Sequence, residues 1–270
     1  MTTSPKSTAS ATDLASVVDL ARHPLDEPAF RTHCRRALDA DGVLVMPSLL
    51  TPAAVRSIRD EGDRRQSLAH YTTGTHNVYL APTDPALPEE HPRNRAIVSS
   101  KGCITTDQIA EDSALRTLYG SGAFRDFLCS VLGEASLHEY TDPLSAINLH
   151  YAATGQELGW HYDDSSFAIT LMIQRPRGGA VFEYVRDVRD ADAGDKAYER
   201  TGRILDGEEP VRRLAIDAGD LVLFRGRDSM HRVTPTEGEV TRMLVVLAYN
   251  TEPGIALSAS ARMTFYGRLG

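Results

Sequence analysis

The sequence predicts an α+β fold, with helices in its first half and a closed or sandwiched antiparallel sheet in its second. Two observations carry this. Up to about residue 134 the apolar positions recur three and four apart. From about residue 135 they form short runs rich in Val, Ile, Leu and aromatics, separated by turn signals such as Thr154-Gly155, Gly178-Gly179 and Gly219-Asp220. The length of 270 residues fits a single domain of this kind. We place a disordered tail at 1–12, rich in Ser, Thr and Ala with nothing to bury, and one domain at 13–270.

Phe30, Cys34 and Leu38 recur at four-residue spacing and predict a helix over Asp26 to Leu38, followed by a short strand-like GVLVMP. Thr51 then reads as the cap of a second helix. Pro52 occupies its first turn, where a missing N–H costs nothing, and Val55 and Ile58 face inward. Tyr79 to Pro92 holds four prolines and little pattern, so a loop is expected. A third helical region runs from Ser113 to Leu132, with Leu115, Leu118, Phe124, Phe127 and Leu128 as its buried stripe. The expected strands are LSAINLHYA, FAITLMIQ, AVFEYV, GDLVLF and TRMLVVLAYN. Between Arg186 and Arg213 the chain is charged and weakly periodic, and reads as a solvated insertion or an excursion over a site opening.

Composition narrows the function. Hydrophobic residues make up 41% and charged residues 24%, ordinary values for a soluble globular protein, and the formal charge is −8. An acidic surface repels phosphate backbones, so small polar substrates are favoured over nucleic acid. The apolar stretch nearest the N-terminus is broken by Asp13, Asp19, Arg22 and His23. No membrane partner and a cytoplasmic location are therefore expected. Cys34, Cys103 and Cys129 are odd in number and far apart, which fits reduced thiols.

The chemistry is concentrated in GWHYDDSSFAITLMIQ, residues 159–174. On a strand, residues two apart point the same way, so His161 and Asp163 can both face a barrel interior. Of nine histidines only His161 has a carboxylate two residues later, a match that chance alone could produce. His231, in a loop that follows the strand-like GDLVLF, can be a third ligand. Two imidazoles and one carboxylate on one face of an iron leave positions free for a bidentate co-substrate and dioxygen.

His161-Tyr162-Asp163, then His231, then Arg242 eleven residues on, resembles the iron(II)/2-oxoglutarate-dependent oxygenases. The resemblance implies a double-stranded β-helix core of jelly-roll (cupin-like) type with the N-terminal helices packed on it. It also implies Fe(II), 2-oxoglutarate and O2 as cofactor and co-substrates. Arg242 would grip the distal carboxylate of 2-oxoglutarate, for which a guanidinium fork is suited; the alternative is a rim residue paired with a protein acid. Tyr151 matches a tyrosine that hydrogen-bonds the same carboxylate in several members, and reads equally as a core residue. If the strand is regular, Asn148 and His150 point to the opposite face from Tyr151.

A narrower resemblance rests on DPLSAINLHY, GWHYDDSSFAITLMIQ, GGAVFEYVRDVRD, HPRNR at His91 to Arg95 and the closing FYGR. Together these are similar to the subfamily of radical halogenases and hydroxylases of free amino acids. Halogenases of that group carry glycine or alanine in place of the carboxylate ligand, so Asp163 implies hydroxylation. Asp164 matches the carboxylate that contacts the substrate ammonium, and Arg95 would hold the substrate carboxylate. Asn250 and Tyr266 are further substrate-contact candidates. The plain alternatives are a turn residue for Asp164, a surface charge for Arg95 and packing for Tyr266. The expected partner is a small molecule, a free amino acid by this resemblance, and a homodimer is compatible with the sequence. Competing readings are a radical halogenase, a zinc hydrolase using the same three ligands, and a non-catalytic jelly-roll binding protein.

Overall fold

The computed structural model describes residues 11–270. The tail expected over 1–12 lies outside the described residues up to position 10, and positions 11 and 12 already belong to a helix. The helices are α1 (Ala11–Val17), α2 (Pro28–Asp41), α3 (Pro52–Arg65), α4 (Ala114–Tyr119), α5 (Gly122–Leu132), α6 (Tyr198–Leu205) and α7 (Ala259–Tyr266). The first seven strands are β1 (Val43–Met46), β2 (His70–His76), β3 (Ile97–Ile104), β4 (His138–Glu139), β5 (Ile147–Ala152), β6 (Leu158–His161) and β7 (Ala168–Gln174). Then follow β8 (Gly178–Gly179), β9 (Phe182–Val185), β10 (Arg212–Leu214), β11 (Leu221–Phe224), β12 (Met230–Val233), β13 (Thr236–Glu237), β14 (Arg242–Leu247) and β15 (Tyr249–Asn250).

Local chemistry sets the helix ends. The Thr51 side chain accepts from Ala54 N to start α3, behind Pro52. The helical region expected from Ser113 to Leu132 is two helices, because Gly120 ends α4 and the Ser121 side chain caps α5 by accepting from Phe124 N. Phe124, Phe127, Leu128 and Val131 of α5 are fully buried, and Phe127 stacks on Phe30 of α2.

Eleven strands join in one antiparallel sheet in the order β1-β11-β7-β14-β5-β3-β6-β12-β9-β10, with β2 on β3. The sheet curls back on itself where β3 leaves β5 and meets β6 through Ser99 and Leu158. This is the expected double-stranded β-helix with helices on one side. The first half is less purely helical than its sequence predicts. It contains β1 and the β2–β3 hairpin, whose HYTTGTH strand is too polar to carry an apolar alternation.

Register decides which residues line the barrel. β14 pairs with β5 as Met243 with Tyr151, Val245 with Leu149 and Leu247 with Ile147. All six lie in the main core cluster with Phe127, Ile58 and Leu115 from the helices. The alternate residues Arg242, Leu244, Ala152, His150 and Asn148 therefore face the barrel interior. One end of that interior is filled by Phe224, Tyr184, Val222, Met172 and Leu244. Gly178 and Gly179 pair with β13, and a Cβ on Gly179, whose φ is +62°, would sit 2.0 Å from Pro235 O. Only glycine fits there.

The segment from 186 to 213 is more ordered than a solvated insertion. It contains α6, whose Thr201 is fully buried between the hydroxyls of Tyr79 and Tyr162. Arg189 lies 4.1 Å from the Tyr162 ring centroid. Among the described residues no helix is long and apolar enough to cross a membrane.

Candidate metal centre and the cavity around it

His161 ends β6 and is paired directly with His231 of β12 across the antiparallel ladder. Both rings therefore enter the interior side by side, their centroids 4.1 Å apart. Each is oriented by its own strand. His161 Nδ1 lies 2.8 Å from Gly159 O and His231 Nδ1 lies 3.0 Å from Ser229 O. A carbonyl only accepts, so each Nδ1 carries the proton and each Nε2 presents a lone pair to the cavity. Phe224, 4.8 Å from the His231 ring centroid to centroid, backs that ring with apolar surface.

Asp163 follows β6, its backbone N–H donating to Gly226 O at 3.1 Å. Its Oδ1 stands 3.7 Å from His161 Nε2 and 3.5 Å from His231 Nε2. One ligand atom from each of the three residues falls within 4.8 Å of the others. The second carboxylate oxygen, Oδ2, is buried without a hydrogen-bond partner. A Cβ on Gly226 would lie 1.9 Å from that oxygen, so glycine at 226 makes the room the carboxylate occupies.

The electrostatics fit a cation. Burial, then the neighbouring His231, lowers the His161 pKa to about 3, which keeps the imidazole neutral and able to ligate at ordinary pH. Burial pushes the Asp163 carboxyl up, but His231, His161 and Lys101 outweigh it and the net shift is downward. Two neutral imidazoles and an under-satisfied carboxylate converging on one point are a donor set for a divalent metal with open positions.

Arg242 opens β14 on the inner face. It is 8% exposed, its Nε has no partner, and it forms no ion pair with the described residues. Burial alone lowers its pKa to about 10. A buried unpaired guanidinium is costly without an anion, so this side chain is built to meet one. The alternative of a rim arginine paired with a protein acid is not what the structure contains.

The sequence model of the halogenase D family matches residues 27–264. The chain belongs to the halogenase D family. Among curated proteins no sequence matches it. Solved structures share its fold at low identity. The non-heme α-ketoglutarate-dependent epimerase SnoN of nogalamycin biosynthesis has a TM-score of 0.58 and 14% identity, over 83% of this chain and 84% of that one. HygX from Streptomyces hygroscopicus, solved with nickel, 2-oxoglutarate and hygromycin B, has a TM-score of 0.52 and 16% identity over 87% and 95%. A Pseudomonas putida prolyl-4-hydroxylase has a TM-score of 0.50 and 13% identity over 80% and 96%. The fold is thus that of the iron(II)/2-oxoglutarate oxygenases.

In this halogenase D family member the other expected site residues are not gathered with the metal cluster. Tyr151 faces the helices: it is fully buried and its hydroxyl donates to Gly62 O of α3 at 2.8 Å. The expectation that it reaches the co-substrate is corrected by one residue of parity, since β5 turns His150 and Asn148 inward. Arg95 is ion-paired with Asp206 at 2.6 Å. Both line a groove of about 940 Å³ that none of the three clustered residues borders. Asn250 lies in β15, its Oδ1 accepting from Glu252 N. Tyr266, on α7, donates to Asn148 Oδ1 at 2.8 Å and so braces the inner face of β5 rather than lining it directly. Asp164 is exposed in the turn after β6, its backbone carbonyl accepting from Arg227.

Two inner-face residues escape the sequence reading, Lys101 and His150. β3 carries Lys101 in a stretch with no helical or alternating apolar pattern. For His150 the signal was available: Ile147, Leu149 and Tyr151 are the apolar parity of β5, and in a sheet covered by helices that parity belongs to the helix side.

Proposed function

We propose that this halogenase D family member is an iron(II)/2-oxoglutarate-dependent oxygenase that hydroxylates an unactivated C–H bond of a free amino acid or closely related small molecule. One oxygen of O2 enters the product and the other enters succinate, with CO2 released. The observation that carries the reading is the His161, Asp163 and His231 donor set together with the buried, unpaired Arg242 on the inner face of β14.

His161, Asp163 and His231 would hold Fe(II), and Arg242 the far carboxylate of 2-oxoglutarate. When bound, that pair with O2 supplies an oxidant able to take a hydrogen atom from an aliphatic carbon. The chain's part is placement. The Gly159 and Ser229 carbonyls fix the two imidazole tautomers. The space over Gly226 fixes the carboxylate. Phe224 and Tyr184 keep water from one end of the barrel. Asp164, the exposed residue that follows Asp163 in the chain, is the group we assign to a substrate ammonium. Arg95 and Asn250 are left out of the assignment because both are already engaged.

A second reading, radical halogenation, is favoured by the family match. Asp163 stands against it, because its carboxylate takes the place a halide would need. The test is incubation with iron(II), 2-oxoglutarate, O2 and a panel of free amino acids, cationic and polar members first, in low and high chloride. Mass spectrometry should find a gain of one oxygen matched by succinate. Asp163→Ala should lose that product, and wild-type coupling in the variant would refute the ligand assignment. Chlorinated product from the wild-type protein would move the assignment to halogenation.

A further inference from the structure

The inner face holds a second cation besides Arg242, Lys101 of β3, whereas burial pushes the His150 imidazole of β5 well below its ordinary pKa and keeps it neutral. Both residues share the parity of Arg242, and neither side chain forms a hydrogen bond or ion pair with the described residues. β3 pairs with β5 as Cys103 with His150 and Gly102 with Tyr151. One step further along this antiparallel register brings Lys101 opposite Ala152. Across the other edge of β5, Ala152 is opposite Arg242. Lys101, Ala152 and Arg242 thus form one row over three adjacent strands, all pointing into the barrel.

Neighbouring strands lie about 4.8 Å apart, so the two cationic side chains spring from backbone about 10 Å apart. The residue between them is alanine, whose methyl leaves the space above the row open. Two long flexible cations over a gap of that width can close on one carboxylate from both sides.

The charges along this row demand such a guest. Lys101 feels the like charge of Arg242 and the opposite charge of Asp163, and its pKa is lowered, by burial first. Asp163 does not neutralise it, since no ion pair joins them and that carboxylate faces the two imidazoles. Cys103, on the same strand face, is a neutral thiol pushed up to about 12 by burial. Two cations in one cavity, neither ion-paired with any described residue, repel, and a bound anion reverses the sign of that interaction.

We infer that Lys101 is a second cationic hold on the distal carboxylate of 2-oxoglutarate, closing on it opposite Arg242 across Ala152. The inference rests on the co-substrate reading proposed above. Arg242 supplies a planar fork and Lys101 a point charge, so one carboxylate satisfies both without competition for the same lone pairs. Lys101 is a positioning residue for the co-substrate, and its loss should be felt only by ligands that carry the distal carboxylate.

The test uses the full chain loaded with Mn(II), which holds a 2-oxo acid without turnover, and calorimetric titration of two ligands. 2-Oxoglutarate has the distal carboxylate and 2-oxobutyrate does not. Lys101→Met should weaken 2-oxoglutarate by about tenfold or more and 2-oxobutyrate by less than about twofold, with Lys101→Arg recovering most of the loss. Arg242→Met, run beside it, should show the same selectivity. If Arg242→Met weakens 2-oxoglutarate and Lys101→Met does not, the inference on Lys101 is overturned while the co-substrate reading stands. If neither variant weakens 2-oxoglutarate, the co-substrate reading falls with it. Equal weakening of both acids by Lys101→Met also overturns the inference, because the lysine would then act through the metal or the fold. Melting curves of each variant identify the latter.

Discussion

The two faces of strands β5 and β14 are made from alternate residues of the same segments and are treated in opposite ways. On the helix side every large polar group is met. Tyr151 donates to Gly62 O, Tyr249 donates to Tyr119 O, and the buried Glu61 carboxylate accepts from Ala110 N and the Ser113 hydroxyl. On the barrel side Arg242 Nε and Asp163 Oδ2 are buried with no partner, and the Lys101 and His150 side chains make no hydrogen bond with the described residues. A buried polar group left unmet costs about 1–3 kcal/mol. A chain that satisfies one face and leaves particular groups of the other unmet has its fold held by the first and its ligands awaited by the second. Changes on the barrel side should therefore alter binding with little effect on stability, and changes on the helix side the reverse.

The largest expected effect is on the barrel side, at Gly226. Gly226→Ala puts a methyl where Asp163 Oδ2 now sits, and the carboxylate must rotate away from the two imidazoles. Metal affinity should fall by about 10–100-fold, the range for a disturbed supporting residue, as read by competition with a chromophoric chelator. The metal-free variant should melt close to the wild type, since the displaced oxygen had no partner to lose. A large drop in melting temperature with unchanged metal affinity would break the distinction between the faces.

Tyr151→Phe is the matching change on the helix side. It removes the side-chain donor that Gly62 O has among the described residues and should cost about 1–2 kcal/mol in urea unfolding. The KM for 2-oxoglutarate should not move. A raised KM with unchanged stability would return Tyr151 to the co-substrate role its sequence position implied.

That contrast also marks what was legible in the sequence. His161, Asp163 and His231 could be read because the first two lie two residues apart where β6 ends, and Arg242 because a charged residue opening an apolar strand is itself a signal. Lys101 could not. Its place opposite Arg242 is set by the β3–β5 and β5–β14 registers, which join segments some 50 and 90 positions apart and leave no local trace. The double-stranded β-helix was legible from its apolar runs, whereas β2, with little to bury, had no pattern to show. Parity along β5 is the finest of these distinctions. A shift of one residue exchanges Tyr151 for His150 and with it the whole lining of the cavity.

What fixes that parity is the loop entering β5, and it offers the smallest and most diagnostic test. Asp142 is 8% exposed; its Oδ1 accepts from Leu144 N, Ser145 N and the Ser145 hydroxyl, and its Oδ2 from Leu257 N. These four bonds clamp the chain just before Ile147 is sent to the helices and Asn148 to the barrel. Burial raises the Asp142 carboxyl, but the hydrogen bonds more than reverse it, so its pKa lies below the ordinary carboxylate value. A group whose folded pKa is depressed adds stability that is complete above the unfolded value, about 3.9, and is lost as pH falls through the folded one. Asp142→Asn keeps the shape but turns one acceptor into an NH2 facing an N–H donor. It should lower stability by about 1–2 kcal/mol at pH 7, and the gap from wild type should narrow as urea unfolding is repeated from pH 5 down to pH 3. A gap that stays constant over that range would mean that the loop is held by shape alone, and that the charge on Asp142 has no part in deciding which face of β5 meets the metal.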